Sequence, residues 1–149
     1  MANLDAPSGL RPVRRLNGTP LGAFIKAYIP SSDGTACFVG DVVKFAGEAG
    51  AAGEVVQGED MEGVMQVIRA AITDFDVVGT DARSIVGVVV GFKPDPDNLM
   101  NKHRAASTER VVWLSPIEDV VYEIQEDADT TPIVAGSIGL NVSLVQTQT

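Results

Sequence analysis

The stretch STERVVWLSPIEDVVYEIQED, residues 107–127, decides the fold class of this chain. It contains two apolar bursts, residues 111–114 and 120–124, that are rich in β-branched and aromatic residues. Such residues fit a pleated and largely buried surface, so both bursts predict strands. Pro116 lies between them and has no amide donor, so the chain is predicted to turn or to change sheets at this point.

Three other windows carry a strand signal. Residues 85–92 (IVGVVVGF) form a nearly continuous apolar run, which is typical of a strand buried on both faces and predicts the central strand. Residues 64–73 fit a strand and also a helical period, but their β-branched content and turn-like flanks favour a strand. Apolar and small or polar residues alternate over residues 138–144, which predicts a last strand.

The intervening segments are richer in turn residues. Residues 22–46 predict two strands that pair as a hairpin about the turn PSSDG, residues 30–34. The glycine-rich residues 47–63 predict a flexible surface loop with a short strand at residues 55–56, and they lack the Lys-Ser/Thr of a phosphate-binding loop. Residues 93–109 form a long polar loop in which residues 98–106 could form a short helix. Loops of this length are usually functional, and here the function could be contact with another chain.

Short strands separated by Gly, Pro and Asp predict an all-β fold. The expected architecture is a jelly-roll-like antiparallel β-sandwich over residues 22–149, preceded by an extended N-terminal arm over residues 1–21. At 149 residues the chain is most simply one folded domain with this arm.

The arm is basic on an acidic body. Arg11, Arg14 and Arg15 less Asp5 give the first 22 residues a charge of +2, so the rest must carry -11 to give the total of -9. Its prolines and glycines exclude a regular helix. Such an arm could lie across its own domain, reach a neighbouring acidic surface, or be a frayed terminus with solvated arginines.

Composition excludes several classes of protein. A net charge of -9 and a pI near 4.4 argue against nucleic acid as a partner, because binding phosphates needs a cationic surface. No window has the roughly 18 apolar residues of a membrane span or the apolar core of a signal peptide, so we expect an intracellular protein without a membrane partner. The single cysteine, Cys37, excludes an internal disulfide and is expected to be a small buried hydrophobe.

The residues that could support catalysis are few. His103 is the only histidine, so a Ser-His-Asp, Cys-His or zinc site would have to recruit it, and zinc needs several such ligands. Asp95 and Asp97 resemble the start of a calcium loop, but the glycine and glutamate that such a loop needs are missing. Asp74 and Asp76 are more simply explained as a solvated turn than as an acid-base pair. The sequence predicts no catalytic, cofactor or metal site, and no enzyme.

Four segments resemble a known family. They are MANLDAPSGLRPVRRLNG (residues 1–18), FVGDVVKF (38–45), VGVVVGF (86–92) and above all HRAASTERVVWLSPIEDVVYEIQED (103–127). The family consists of capsid decoration, or cement, proteins of tailed bacteriophages with HK97-type shells. The resemblance covers most of residues 1–145.

The resemblance implies a structural virion protein without catalytic residues. It implies jelly-roll domains that sit on the outer capsid surface as homodimers or homotrimers, after synthesis in the host cytoplasm, and that clamp neighbouring capsomers. The major capsid protein would be the partner. We expect the contacts to come from basic residues of the arm and of the long loop: Arg11, Arg14, Arg15, Lys102, His103 and Arg104.

Two other functions remain open from the residues. One is a small β-sandwich module that binds a carbohydrate or another ligand without catalysis, although one Trp and two Tyr supply few aromatic platforms. The other is an enzyme of an unrecognised type, which would depend on His103. Binding to a glycan array would favour the first, and turnover that is lost in His103→Ala would favour the second.

Overall fold

β-strands account for most of the regular structure in the computed structural model, which describes residues 9–22, 24–71, 85–125 and 134–140. Within these ranges the only helix is a 3-10 turn at Ala135–Ser137. No helix in the described part of the chain is long and apolar enough to cross a membrane. The strands are β1 (Arg11–Arg15), β2 (Ile25–Ile29), β3 (Val42–Ala49), β4 (Val55–Val56), β5 (Glu59–Asp60), β6 (Met65–Arg69), β7 (Ile85–Phe92), β8 (Arg110–Pro116) and β9 (Val120–Glu123).

Five strands close into a barrel in the order β2-β6-β3-β7-β8. Neighbouring strands are antiparallel except β2 and β6, which are parallel where Tyr28 lies beside Gln66. The prediction of an all-β fold is confirmed. The jelly-roll sandwich is not, because a jelly roll has two facing sheets and the main sheet here closes on itself.

The barrel interior is filled by small and medium aliphatic side chains. β7 pairs with β3 and β8 and buries three consecutive residues, Gly87, Val88 and Val89, in line with the predicted buried strand. Its predicted central position is not confirmed, because each of the five strands of a closed barrel has two neighbours. A Cβ on Gly87 would lie 2.2 Å from the carbonyl oxygen of Ser115, so only glycine allows this approach of β7 to β8. The buried cluster comprises Ala27, Ile29, Cys37, Val43, Val67, Val89, Val112 and Leu114.

Two small units of strands pack on the barrel. The hairpin of β4 and β5 contributes Val56 to a second buried cluster with Tyr28 and Val111. β1 and β9 form a separate antiparallel pair, here called the ribbon, which packs through Tyr122 against a third cluster around Val88. The chain therefore changes sheets between β8 and β9, where Pro116 predicted that it would turn or do so.

The predicted hairpin of residues 22–46 is wrong. β2 pairs with β6 and β8, and β3 pairs with β6 and β7. The turn residues 30–34 do reverse the chain, but their carbonyl groups bind Arg104 and the two flanking strands separate. A turn signal fixes where the chain bends and not which strand becomes its neighbour.

Several local predictions can be compared directly. The strands predicted within residues 64–73 and at residues 55–56 are confirmed as β6 and β4. The short helix considered over residues 98–106 is absent from this described segment, which forms turns. Residues 138–140 form a turn in which Gly139 has a φ of 85°, so the predicted last strand does not begin at Ile138. The rest of that strand, like Asp74 and Asp76, lies outside the described residues.

Candidate functional site

Residues 93–109, here called the contact loop, are held to the barrel by the buried Arg104. Its side chain is 0% exposed. The guanidinium donates hydrogen bonds to the carbonyl oxygens of Pro30 (2.7 Å), Asp33 (2.6 Å), Thr35 (2.5 Å) and Thr108 (2.6 Å). A planar guanidinium has five N–H donors, so it can bind several carbonyl oxygens that have no backbone partner in a strand or helix. Arg104 thus ties the contact loop to the β2–β3 connection.

The charge of Arg104 has one acidic neighbour. The carboxylate of Asp33 lies 3.5 Å from the guanidinium, which is an ion-pair distance without a hydrogen bond to that oxygen. Burial lowers the pKa of Arg104, and the Asp33 carboxylate partly opposes this effect. The backbones of Arg104 and Cys37 add two reciprocal hydrogen bonds of 2.8 and 2.9 Å.

Arg110 anchors the same loop from the start of β8. It is 4% exposed and donates two hydrogen bonds to the carbonyl oxygen of Lys93, at 3.0 and 3.1 Å. It also donates to the carbonyl oxygens of Asn101, at 2.8 Å, and His103. Its guanidinium lies 5.5 Å from the ring centre of Phe92, within cation–π range. Arg110 therefore joins the first residue of the contact loop to its middle.

The β4–β5 hairpin supports the base of the loop through Gln57. Its side chain accepts a hydrogen bond from the amide of Val111 at 3.1 Å, and its own carbonyl oxygen accepts one from Nζ of Lys93 at 2.9 Å. Gln57 has a φ of 48°, which is unfavourable for a residue with a Cβ. Such backbone strain persists only where its surroundings hold it. The hairpin tip is thus fixed against the loop.

Glu59 adds an exposed ion-pair network next to Gln57. Its carboxylate binds the ammonium groups of Lys26 and Lys93, the latter at 2.6 Å. The hydrogen bond from Lys26, followed by that from Lys93, lowers the pKa of Glu59 to about 2. Solvent screens pairs of this kind, so they contribute little to stability.

The tip of the contact loop is apolar and solvated. Leu99 is 75% exposed and Met100 is 82% exposed. They are adjacent in sequence and are the two most exposed large apolar side chains of the contact loop. The contact loop is therefore held at its base by Arg104 and Arg110 and exposes Leu99 and Met100 at its apolar tip.

An aromatic pair flanks the same loop. The rings of His103 and Phe38 stack with centres 4.9 Å apart and planes inclined by 14°. Phe38 is 41% exposed and the adjacent Val39 is 49% exposed. The backbone from Met100 to His103 spans at most about 11 Å, so the pair lies near the apolar tip.

The predicted contact residues have different positions. Lys102 is exposed and His103 is half-buried, both on the contact loop, whereas Arg11 and Arg14 are exposed and Arg15 is half-buried, all on β1. The expectation that Arg104 contacts a partner is wrong, because its guanidinium lies inside the domain and binds backbone carbonyl groups. This burial could not be inferred from a charged triplet.

Leu99, Met100 and Phe38 are not among the contact residues that the sequence predicts. The available signal for the first two was a pair of large apolar residues inside a polar loop bounded by Pro-Asp repeats and a basic triplet. Phe38 lies in an apolar stretch that predicts a strand. Only its three-dimensional position beside His103 distinguishes it.

The described residues enclose little space. A cavity beside Arg15 and Phe24 has a volume of about 10 Å³, the space of about one water molecule. Burial raises the pKa of the Cys37 thiol, so this cysteine stays protonated. In the described ranges no three His, Cys, Asp or Glu residues are grouped to hold a metal ion. Comparison with protein-family models, with curated proteins and with solved structures finds no match for this chain.

Proposed function

We propose that this chain is a non-catalytic capsid decoration protein of a tailed bacteriophage with an HK97-type shell. It binds the major capsid protein on the outside of the virion, as a homodimer or homotrimer, and stabilises the shell by bridging neighbouring capsomers. The observation that carries the proposal is the contact loop, whose base is fixed by two buried arginines and whose tip exposes Leu99 and Met100. The resemblance of residues 103–127 to that family supports it independently.

A rigid loop with an apolar tip suits binding to another protein. Two apolar side chains that leave water on binding contribute about 1.5–3 kcal/mol each if they become fully buried. The backbone that carries them is already ordered by Arg104 and Arg110, so less conformational entropy is lost on binding. Lys102, which is exposed on the same loop, can add a polar contact at the rim.

On a shell the same contact is repeated at many positions. An icosahedral lattice offers many equivalent sites, and an oligomer that engages several of them gains from effective concentration. A modest contact made by each copy therefore suffices to bridge capsomers. The family resemblance implies a two-sheet jelly roll. In this proposal the closed barrel supports the contact loop instead.

The test is co-sedimentation of the protein with shells assembled from the major capsid protein. We expect the double variant Leu99→Ser, Met100→Ser to bind at least about ten-fold more weakly, since a loss of 1.4 kcal/mol already gives that factor. Its thermal unfolding should match that of the unaltered protein, because both side chains are exposed. Val55→Ser removes a side chain that is 57% exposed on the β4–β5 hairpin and serves as the matched control. Full binding by the double variant would contradict the role of the loop.

A carbohydrate-binding module is the second candidate. The observation that favours it is the exposed stack of Phe38 on His103, since aromatic faces support sugar rings. Binding to a glycan array that is lost in Phe38→Ala would favour this function. Binding to shells with no glycan signal would favour decoration.

A further inference from the structure

The ribbon of β1 and β9 has an inner and an outer face. Tyr122 marks the inner face, because its hydroxyl oxygen lies 2.6 Å from the carbonyl oxygen of Pro116 and 3.0 Å from the hydroxyl of Ser115. Successive side chains of a strand point to opposite faces. Val121 and Glu123 therefore point outward.

A bulge places two arginines on this outer face. Pro12 lies opposite Tyr122, and Arg14 lies opposite Val121, so Val13 is an extra residue on β1. Arg11 lies opposite Glu123 and is exposed, as is Arg14. Without the bulge, residues three positions apart would point to opposite faces. With it, Arg11 and Arg14 share the face of Glu123.

The outer face therefore has a defined pattern. Val13, which is 49% exposed, and the half-buried Val121 supply apolar side chains at the centre, and Arg14 lies beside them, opposite Val121. Arg11 and Glu123 form a pair of opposite charges, which lies about two residues, or about 7 Å, along the ribbon from Val121. The chain has a net charge of -9, so two copies repel one another at long range. On this face both signs of charge lie beside apolar side chains, of which Val13 is exposed.

We propose that the outer face of the ribbon binds the same face of a second copy of this chain, across a two-fold axis parallel to the strands. That axis lays β1 of one copy over β9 of the other. Arg11 then faces the partner's Glu123, and Glu123 faces the partner's Arg11, while Val13 and Val121 form the centre. This step rests on the self-association in the proposed function and assigns it a surface and a symmetry.

The charges select this orientation over its alternative. A two-fold axis across the strands would lay β1 over β1 of the second copy. Arg11 would then face the partner's Arg14, and like charges at an interface are strongly unfavourable. The parallel axis pairs opposite charges twice instead, because a two-fold contact repeats every interaction.

The first test mixes two variants that should not self-associate. Arg11→Glu alone places like charges across the axis, and so does Glu123→Arg alone, so each should dimerise about ten-fold more weakly. When they are mixed, both contacts between positions 11 and 123 across the axis again join opposite charges, and a mixed dimer of twice the 15.6 kDa chain mass should form. Light scattering and native mass spectrometry of mass-labelled chains measure both results. Glu62→Arg, an exposed reversal beyond β5, is the matched control.

The second test probes the apolar centre. Val13→Ser should weaken the dimer, whereas Val39→Ser should not, although both valines are 49% exposed. A monomer at hundreds of micromolar, a trimer, or a dimer that tolerates Val13→Ser would each overturn the inference. So would the absence of the mixed dimer. These measurements use the protein without shells. If no dimer forms, co-sedimentation still tests shell binding, and if the protein does not bind shells, light scattering still tests the dimer.

Discussion

The contact loop and the ribbon both depend on arginines, but these arginines have opposite surroundings. Arg104 and Arg110 are 0% and 4% exposed and donate most of their hydrogen bonds to backbone carbonyl groups. Arg11 and Arg14 lie on the solvent side of β1. The same residue type is structural in one region and available for binding in the other.

The difference follows from the backbone that each region has to satisfy. The contact loop and the β2–β3 connection have no strand partner for many of their carbonyl groups, and buried carbonyl groups need donors. Buried guanidinium groups supply them. β1 has its backbone hydrogen bonds in the pairing with β9, so its arginines have no such task. An irregular region thus uses side chains for what a strand does with its backbone.

The largest effect is expected for Arg104→Met. The substitution leaves buried carbonyl groups and the Asp33 carboxylate without their cation, and removal of one partner of a buried ion pair costs about 3–5 kcal/mol. Arg14→Met is the matched variant and should change stability by less than about 0.5 kcal/mol. Urea unfolding followed by Trp113 fluorescence measures both. Similar losses in the two variants would remove the distinction between the regions.

Arg104→Lys sharpens the same comparison if Arg104→Met fails to fold. A lysine keeps the charge but has three donors on one nitrogen and cannot reproduce the planar fork. We expect a stability between those of the unaltered protein and Arg104→Met. Full stability in Arg104→Lys would mean that charge alone holds the loop.

A smaller effect is expected for the ribbon in Tyr122→Phe. Loss of the hydroxyl removes its hydrogen bonds to Ser115 and Pro116, which are the side-chain polar anchors of β9 to β8. One such bond contributes about 0.5–1.5 kcal/mol. Amide hydrogen exchange should accelerate in β1 and β9 but not in the contact loop. Equal acceleration in both would show that the two regions open together.

The most gradual effect is a loss of stability in alkali. Burial raises the pKa of the Cys37 thiol from 9.0 and those of the Tyr28 and Tyr122 hydroxyls from 10.0. The unfolded chain therefore releases these protons at a lower pH than the folded chain, so stability is complete below pH 9 and falls as the pH rises. Unfolding in urea between pH 8 and pH 11 measures this. Tyr122→Phe should remove part of the slope, and a flat profile would contradict the burial of these groups.

Strand signals were predictable because they depend on local composition. Residues 85–92 form β7 with the predicted bounds, residues 111–114 lie in β8, and residues 120–123 of the predicted 120–124 form β9. Pairing was not predictable in the same way. β2 and β3 are separated by β6, because closure of the barrel depends on all five strands together.

The candidate site shows the same division between local and long-range information. The contact loop was predicted from its length, and Lys102 and His103 were placed on it. The different role of Arg104 arises from carbonyl groups about 70 residues earlier in the chain, at Pro30, Asp33 and Thr35. No window of sequence contains both the donor and these acceptors.

The amino-acid sequence by itself determined an all-β chain with an acidic body, few residues suited to catalysis and a long polar loop. These properties follow from composition and from periods of a few residues. Only the tertiary structure decided that the barrel closes, that Arg104 is buried against the β2–β3 connection, and that a bulge at Val13 turns Arg11 and Arg14 to one face. Each of these depends on groups distant in sequence that meet in space, where burial and hydrogen bonding set the role of a side chain.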